Sequence, residues 1–437
     1  AAAAASALAF AASSAEASLT EQKPDDPPPS GPTPSPTPGV DVPANPRSAP
    51  GMLGVEGDDD GGMPDSATLK KKVTTVTKTV TTTTTTVQES EAATPDAEAP
   101  TAAPSAVRGY AVSQYNANKP IEDKASSVHE DELFVGAVLD GHGGWEVAEF
   151  VSTRMTAEVQ TQLKEADAWV GPSVEEVDKK VGAALDAAFV NLDNQWIELV
   201  RQFFNQGFTH VAKVGSCGVV LVVRPDKVVC ANAGDCRAVL GRKEPAIGKR
   251  KRETVAAVPL SIDHNCRDPR EQVALFKAHP GEEDVVLCAS PNVCYVKGRL
   301  QPTRGFGDLF LKSAEFNNDP TRKGGVMMPE PFSPPYIQVS PEVTIVERTE
   351  KDQFVVVGSD GLWDFMSNEE AIAFVSERLS KTAKGKKVQE VADALLEEVL
   401  ARAADDYGMT VHALKKLPPG RRRRTKHDDI TVMVVAL

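Results

Sequence analysis

The chain has 437 residues, 48 Lys and Arg against 62 Asp and Glu, and a formal charge of −14, with 41% hydrophobic residues. That acidic balance argues against nucleic acid as a partner, because a phosphate backbone calls for a basic footprint, and it suits a protein that binds divalent cations. No stretch reaches the roughly 18 apolar residues of a membrane span, so no membrane partner is expected, and a monomer is.

Residues 1–105 hold 15 of the 32 prolines and a single aromatic, Phe10. So little apolar surface cannot offset the entropy of ordering the segment. A disordered tail over 1–105 and one folded domain over 106–437 are therefore expected. The tail carries 14 acidic and 6 basic residues, a charge of −8, which leaves −6 on the domain. Its first 18 residues, AAAAASALAFAASSAEAS, contain no basic residue and match neither a secretory signal nor a mitochondrial transit peptide. With Ala and not Met at position 1, targeting stays open. Residues 24–50 read as proline-rich extended linker. Residues 70–87, KKKVTTVTKTVTTTTTTV, have strand propensity but no apolar face to bury, and read as linker too.

The domain then shows short strands at 109–115 and 124–129 and an apolar strand ending at Asp140. Helical patterns follow near 145–163 and 174–203; in the second, Val177, Val181, Leu185, Phe189, Leu192 and Trp196 share one face. GVVLVVRP and KVVCANAG form a strand pair about Pro225-Asp226. Further strands fit 237–241, 342–348, 354–359 and 430–436, with helices near 369–379 and 386–404. Strands, a helical pair, more strands and more helices predict an α+β sandwich, with sheets stacked between helical layers.

Cys217, Cys230, Cys236, Cys266, Cys288 and Cys294 lack zinc-type spacing and read as buried, reduced thiols of an intracellular protein. Cys236 and Arg242 have the spacing of a thiol phosphatase, but RAVLG between them reads as a strand and not as a phosphate cradle.

The informative feature is where carboxylates end apolar runs. Asp140 closes FVGAVLD before GHGG, Asp360 closes FVVVGSD before GLWD, and Asp428 and Asp429 open the last strand. Glu122 and Asp123 lie between the first two strands. One such acid is commonly a turn-former. Four places in one sandwich can converge, and like charges held that close need hard divalent cations to stay ionised. His142, flanked by Gly141, Gly143 and Gly144, is open to three readings: zinc ligand, core histidine or general acid. The oxygen-rich surroundings favour the general acid.

Taken in order, IED (121–123), VLDGHGG (138–144), GSCGVVLVV (215–223), ANAGDCRAVLG (231–241), LSIDH (260–264), GRLQPTRGFGD (298–308), GSDGLWD (358–364) and DDITVMVV (428–435) resemble the metal-dependent protein phosphatases, the PPM or type 2C family. The resemblance spans about 107–437. It implies an α-β-β-α sandwich and hydrolysis of phosphoserine and phosphothreonine in phosphoproteins, with Mg2+ or Mn2+ as cofactor, two ions per domain and a weak third. Asp140 would bridge the ions, with Gly141 offering its carbonyl and Asp360 and Asp428 completing one shell. Glu122 and Asp123 would act through waters and Asp235 would serve the third ion. A water acidified between the ions would attack phosphorus in line while His142 protonates the leaving oxygen.

The family often places a phosphate-gripping arginine where this chain has Asn118, and Lys119 is the candidate replacement for substrate binding. NANKPIEDKAS, residues 261–280 and PPYIQVSPEVT resemble the pyruvate dehydrogenase phosphatase-like branch. Two basic runs, GKRKRE (248–253) and RRRRTK (421–426), read as solvated loops, with a nuclear address or a docking patch for acidic phosphoproteins as the other readings. A cytoplasmic or nuclear address is expected, with the mitochondrion open. The rival functions are a pseudophosphatase scaffold, favoured only by Asn118, and a hydrolase of small phosphoesters.

Overall fold

The computed structural model describes residues 105–130, 132–245, 254–320, 323–381 and 388–437. The expectations for residues 1–104 and for the basic run at 248–253 lie outside these.

Two large antiparallel sheets face each other. The first runs β1 (Gly109–Tyr115), β13 (Ile430–Ala436), β12 (Asp352–Gly358), β6 (Arg237–Glu244), β7 (Thr254–Pro259). The second runs β11 (Glu342–Glu347), β5 (Lys227–Ala233), β4 (Gly215–Val223), β3 (Leu133–His142), β2 (Lys124–Glu130), with β10 (Phe306–Gly307) against β4. Their strands are apolar on both faces because both faces are covered. On β3, Val135, Ala137 and Leu139 face helices α1 (Glu146–Glu165) and α2 (Val174–Phe204). The alternate Phe134 and Val138 meet Val355, Val357, Met433 and Val435 of the opposite sheet. On the far side, Phe354, Val356, Val432 and Val434 are covered by α6 (Asn368–Lys381) and α7 (Val388–Asp406). The expected α-β-β-α sandwich is the observed one.

Helix α2 shows how sequence sets an element and how the element reaches the site. Ser173 caps it by accepting from the Glu176 amide at 3.2 Å, and Glu175 and Glu176 fill the first turn, where the helix dipole favours acids. Its buried face includes one charged residue, Asp193. That carboxylate accepts from the Gly307 amide at 2.8 Å and the Lys312 ammonium at 2.6 Å, so a core helix fixes the loop that ends at Asp308.

Several short elements escaped sequence reading: α3 (Pro269–Ala278), α4 (Leu309–Lys312), α5 (Asp360–Trp363), α8 (Val411–Lys416), α9 (Arg421–Arg424) and the hairpin β8 (Val286–Ser290) with β9 (Val293–Val296). The hairpin corrects the cysteine reading. It sets Cys288 directly opposite Cys294, with Cα atoms 4.0 Å apart, and the two form a disulfide; Cys288 is exposed, not buried. Cys217, Cys230, Cys236 and Cys266 are free and buried, as expected.

The solvated-loop reading of 421–426 is corrected at Arg423 and in its conformation: 421–424 form α9, while Arg421, Arg422, Arg424 and Thr425 are exposed. Arg423 is only 5% exposed and donates to the Asn116 carbonyl at 2.7 Å, the Lys415 carbonyl at 3.1 Å and twice to the Leu417 carbonyl. The Gly420 amide adds a bond to the Ala117 carbonyl at 2.6 Å. These bonds tie α9 to the loop between β1 and β2. Arg423→Ala strips a buried charge-assisted donor from several carbonyls and should cost on the order of 3 kcal/mol, read by urea denaturation. A loss under 0.5 kcal/mol, about that of an ordinary surface change, would show that α9 is not so anchored.

Candidate metal centre and active site

β1 pairs β13 in register from Gly109 opposite Ala436 to Tyr115 opposite Ile430. This pairing brings the loop after β1, residues 116–123, beside Asp428 and Asp429, about 310 positions away. Asp429 is the clamp. It is 1% exposed, and one oxygen accepts from the Ala117 and Asn118 amides at 2.5 and 2.8 Å, the other from the Glu122 amide at 2.7 Å. Asp123 is equally buried and takes the Ser359 and Thr431 hydroxyls, both at 2.7 Å, on one oxygen.

The second sheet supplies the facing wall. Asp140 lies on β3 opposite Cys217, and its carboxylate is 3.4 Å from the amide nitrogen of Asp360, where β12 gives way to α5. Strand ends of both sheets therefore meet. Two glycines permit the approach: a Cβ at Gly141 would lie 2.6 Å from the Glu122 carbonyl oxygen, and one at Gly361 would overlap the Asp429 carbonyl. Asp235, after β5, holds the Asn265 amide at 2.8 Å.

These carboxyls act on one another electrostatically. Burial, then Asp360, Asp123, Asp235 and Asp428, push the Asp140 carboxyl well above its ordinary range. Burial, then Asp364, Asp428, Asp235 and Asp123, do the same at Asp360. Asp123 is raised by burial and by Asp429. Burial raises Glu122 to about 7, although Arg424 opposes the shift. So much negative charge at one end of the sandwich is unfavourable unless protons or cations offset it.

Among the described residues, no group of three or more His, Cys, Asp or Glu side chains is placed to hold a metal ion by itself. A donor set completed largely by waters does not need one. The residues fit hard divalent ions: the donors are all oxygens, and Glu122 Oε2 is buried without a hydrogen-bond partner. Asp140, Gly141, Glu122, Asp123, Asp235, Asp360 and Asp428 thus come to one region. His142 joins them at its edge, its Nε2 2.8 Å from Asp308, a 1%-exposed carboxylate. Burial alone would depress the imidazole pKa, but the Asp308 charge and hydrogen bond outweigh it and raise it above the usual histidine value. Asp308 is a site residue that sequence reading missed, although it ends the GFGD motif.

Asn118 turns inward and donates to Asp428 at 3.2 Å and Asp429 at 3.1 Å. Lys119 is exposed beside it. Arg424 bonds Asp428 at 3.0 Å. The thiol-phosphatase reading fails physically. Burial pushes the Cys236 thiol well above its ordinary value, away from a nucleophilic thiolate, and Arg242 is paired with Asp352.

Known proteins are similar to this chain in sequence and in fold. The sequence profile of protein phosphatase 2C matches residues 105–408. Probable protein phosphatase 2C 67 of Arabidopsis thaliana is 34% identical over 70% of this chain and 74% of its own length. Probable protein phosphatase 2C 38 of the same plant is 35% identical over 70% and 71%. In fold, the crystal structure of serine-threonine phosphatase 2C from Toxoplasma gondii matches with a TM-score of 0.53 at 19% identity, over 75% of this chain and 94% of that one. No helix of the described residues is long and apolar enough to cross a membrane. By profile, relatives and architecture, this chain belongs to the protein phosphatase 2C family of metal-dependent protein serine/threonine phosphatases.

Proposed function

We propose that the chain hydrolyses phosphoserine and phosphothreonine in proteins in one direct step, at a centre of two divalent ions, Mg2+ or Mn2+, with a weak third. The observation that carries this is the meeting of Asp140 and Asp360 across the two sheets, with Asp428 in the same field. Bound ions would lower the pKa of water and offset charge on the phosphoryl oxygens. Asp140, Asp360, Asp428 and the Gly141 carbonyl would hold them directly, Glu122 and Asp123 through water, and Asp235 would serve the third.

The chain's own acid catalyst is His142. With Nε2 bonded to Asp308, Nδ1 has no protein partner among the described residues, and the Asp308 carboxylate favours the protonated ring, which can pass its Nδ1 proton to the departing serine or threonine oxygen. No phosphoenzyme is needed, so the buried thiols have no part. Asn118 and the stretches at 261–280 and 334–344 support a place in the pyruvate dehydrogenase phosphatase-like branch. A monomeric, intracellular enzyme is the simplest form of the proposal.

The test is hydrolysis of a phosphothreonine peptide and an aryl phosphate in Mn2+, with and without chelator. Both activities should depend wholly on the metal, and their absence in Mn2+ would end the proposal. His142→Ala should slow the peptide about 10²-fold and spare the aryl phosphate, whose leaving group needs no proton. Equal losses would exclude the general-acid role.

A further inference from the structure

The carboxyls of Asp140, Asp360, Asp428, Glu122 and Asp123 repel a phosphate wherever ions do not cover them, so a side-chain cation beside them would help to hold it. The surrounding basic groups are mostly spoken for. Arg237 forks Asp263 at 2.9 and 2.7 Å and also bonds Asn368, while Arg267, as exposed as Arg424, makes one long contact to Asp263 at 3.5 Å and acts on the Asp364 carboxyl. Asn118 is neutral, and its amide is spent on Asp428 and Asp429.

Arg424 differs. Its Nη2 rests on Asp428 Oδ2 at 3.0 Å, and Nε and Nη1 have no partner among the described residues. The side chain is 42% exposed, yet its charge acts on Glu122 and Asp360 as well as Asp428. The fork is thus half used and lies beside the carboxylate cluster. Its base is rigid, because Arg423 and Gly420 bind α9 to the loop carrying Asn118 and Glu122. A pre-placed guanidinium loses little freedom on binding, and its planar donors match two phosphoryl oxygens.

We propose that Arg424 is the residue of this chain that grips the substrate phosphate, forking two phosphoryl oxygens while Asp428 steadies it. The proposal rests on the phosphatase reading and deepens it by assigning the anion-binding side chain to α9 and not to Lys119.

Inorganic phosphate is the probe, titrated calorimetrically into the Mn2+-loaded full chain and used as a competitive inhibitor of aryl phosphate hydrolysis. Arg424→Gln should weaken phosphate about 10- to 100-fold, as loss of a charge-assisted pair does, with a parallel rise in KM and Mn2+ affinity changed less than about threefold. Arg424→Lys should recover part of the loss, as a point charge without the fork. Asn118→Arg added to Arg424→Gln should restore it, since position 118 also faces Asp428. Lys416→Gln, exposed on α8, should change nothing.

Phosphate affinity within twofold of wild type in Arg424→Gln would overturn the assignment, as would a matching loss confined to Lys119→Gln. An equal fall in Mn2+ and phosphate affinity would reduce Arg424 to a support for Asp428. If the wild-type chain hydrolyses nothing, the phosphatase reading fails separately, while phosphate titration still decides Arg424.

Discussion

Asp140→Asn lowers metal-dependent turnover by about 10³-fold or more, a barrier increase of about 4 kcal/mol, in a chain whose metal-free fold is no weaker than the wild type. The two halves of this expectation have one cause. Asp140 sits where burial and the nearby Asp360, Asp123, Asp235 and Asp428 all oppose its charge. Without ions that charge, or the proton uptake needed to neutralise it, weighs on the fold, and an isosteric neutral amide avoids both. The amide oxygen can still accept the long 3.4 Å contact from the Asp360 amide. With ions, the same charge is what would bind them, and an amide is a far poorer ligand. Turnover in saturating Mn2+, Mn2+ titration calorimetry and urea denaturation in chelator measure the three quantities. Near-wild-type turnover would remove Asp140 from the ligand set. A large loss of metal-free stability would make it a structural acid instead.

What sequence could reveal about this site followed from how the acids are carried. Asp140 and Asp360 end apolar runs that had to be strands buried on both faces, so their convergence at one end of a sandwich was readable. The residues that hold those acids in place were not. Ser359 and Thr431 bracket Asp123 with two short hydroxyl bonds, but each is an ordinary polar residue at a strand end. Asp429 was visible only as the neighbour of Asp428; its binding of three amides depends on a loop more than 300 residues away. Helix α9 has no apolar periodicity at all, and RRRR reads as a solvated face until Arg423 is seen buried among backbone carbonyls. The Cys288–Cys294 bridge is likewise set by hairpin register, which a spacing of six does not disclose. Local pattern predicts the elements; side chains satisfied by distant backbone become visible only once the elements are assembled.

Stripping the metals should abolish turnover and also make the fold sensitive to pH in a direction that identifies the site. Glu122 has a folded pKa of about 7 against an ordinary 4.5, and burial likewise raises Asp123, Asp140 and Asp360. A raised carboxyl binds its proton more tightly folded than unfolded, so its contribution to stability is complete below about pH 4.5 and is lost as pH climbs through the folded value. For Glu122 alone the loss is about 3 kcal/mol between pH 4.5 and 7. The metal-free chain should therefore melt at progressively lower temperature across that interval. Divalent ions replace the protons, and their affinity grows as the carboxyls ionise. Mn2+ at 100 times its dissociation constant adds about 2.7 kcal/mol, and the gap between melting curves with and without it should widen from pH 5 to 7.5. Thermal melts at matched ionic strength across that range supply the check. Curves that stay parallel would mean that the carboxyls of Glu122, Asp123, Asp140 and Asp360 do not exchange protons for ions, and the metal centre would have to lie elsewhere.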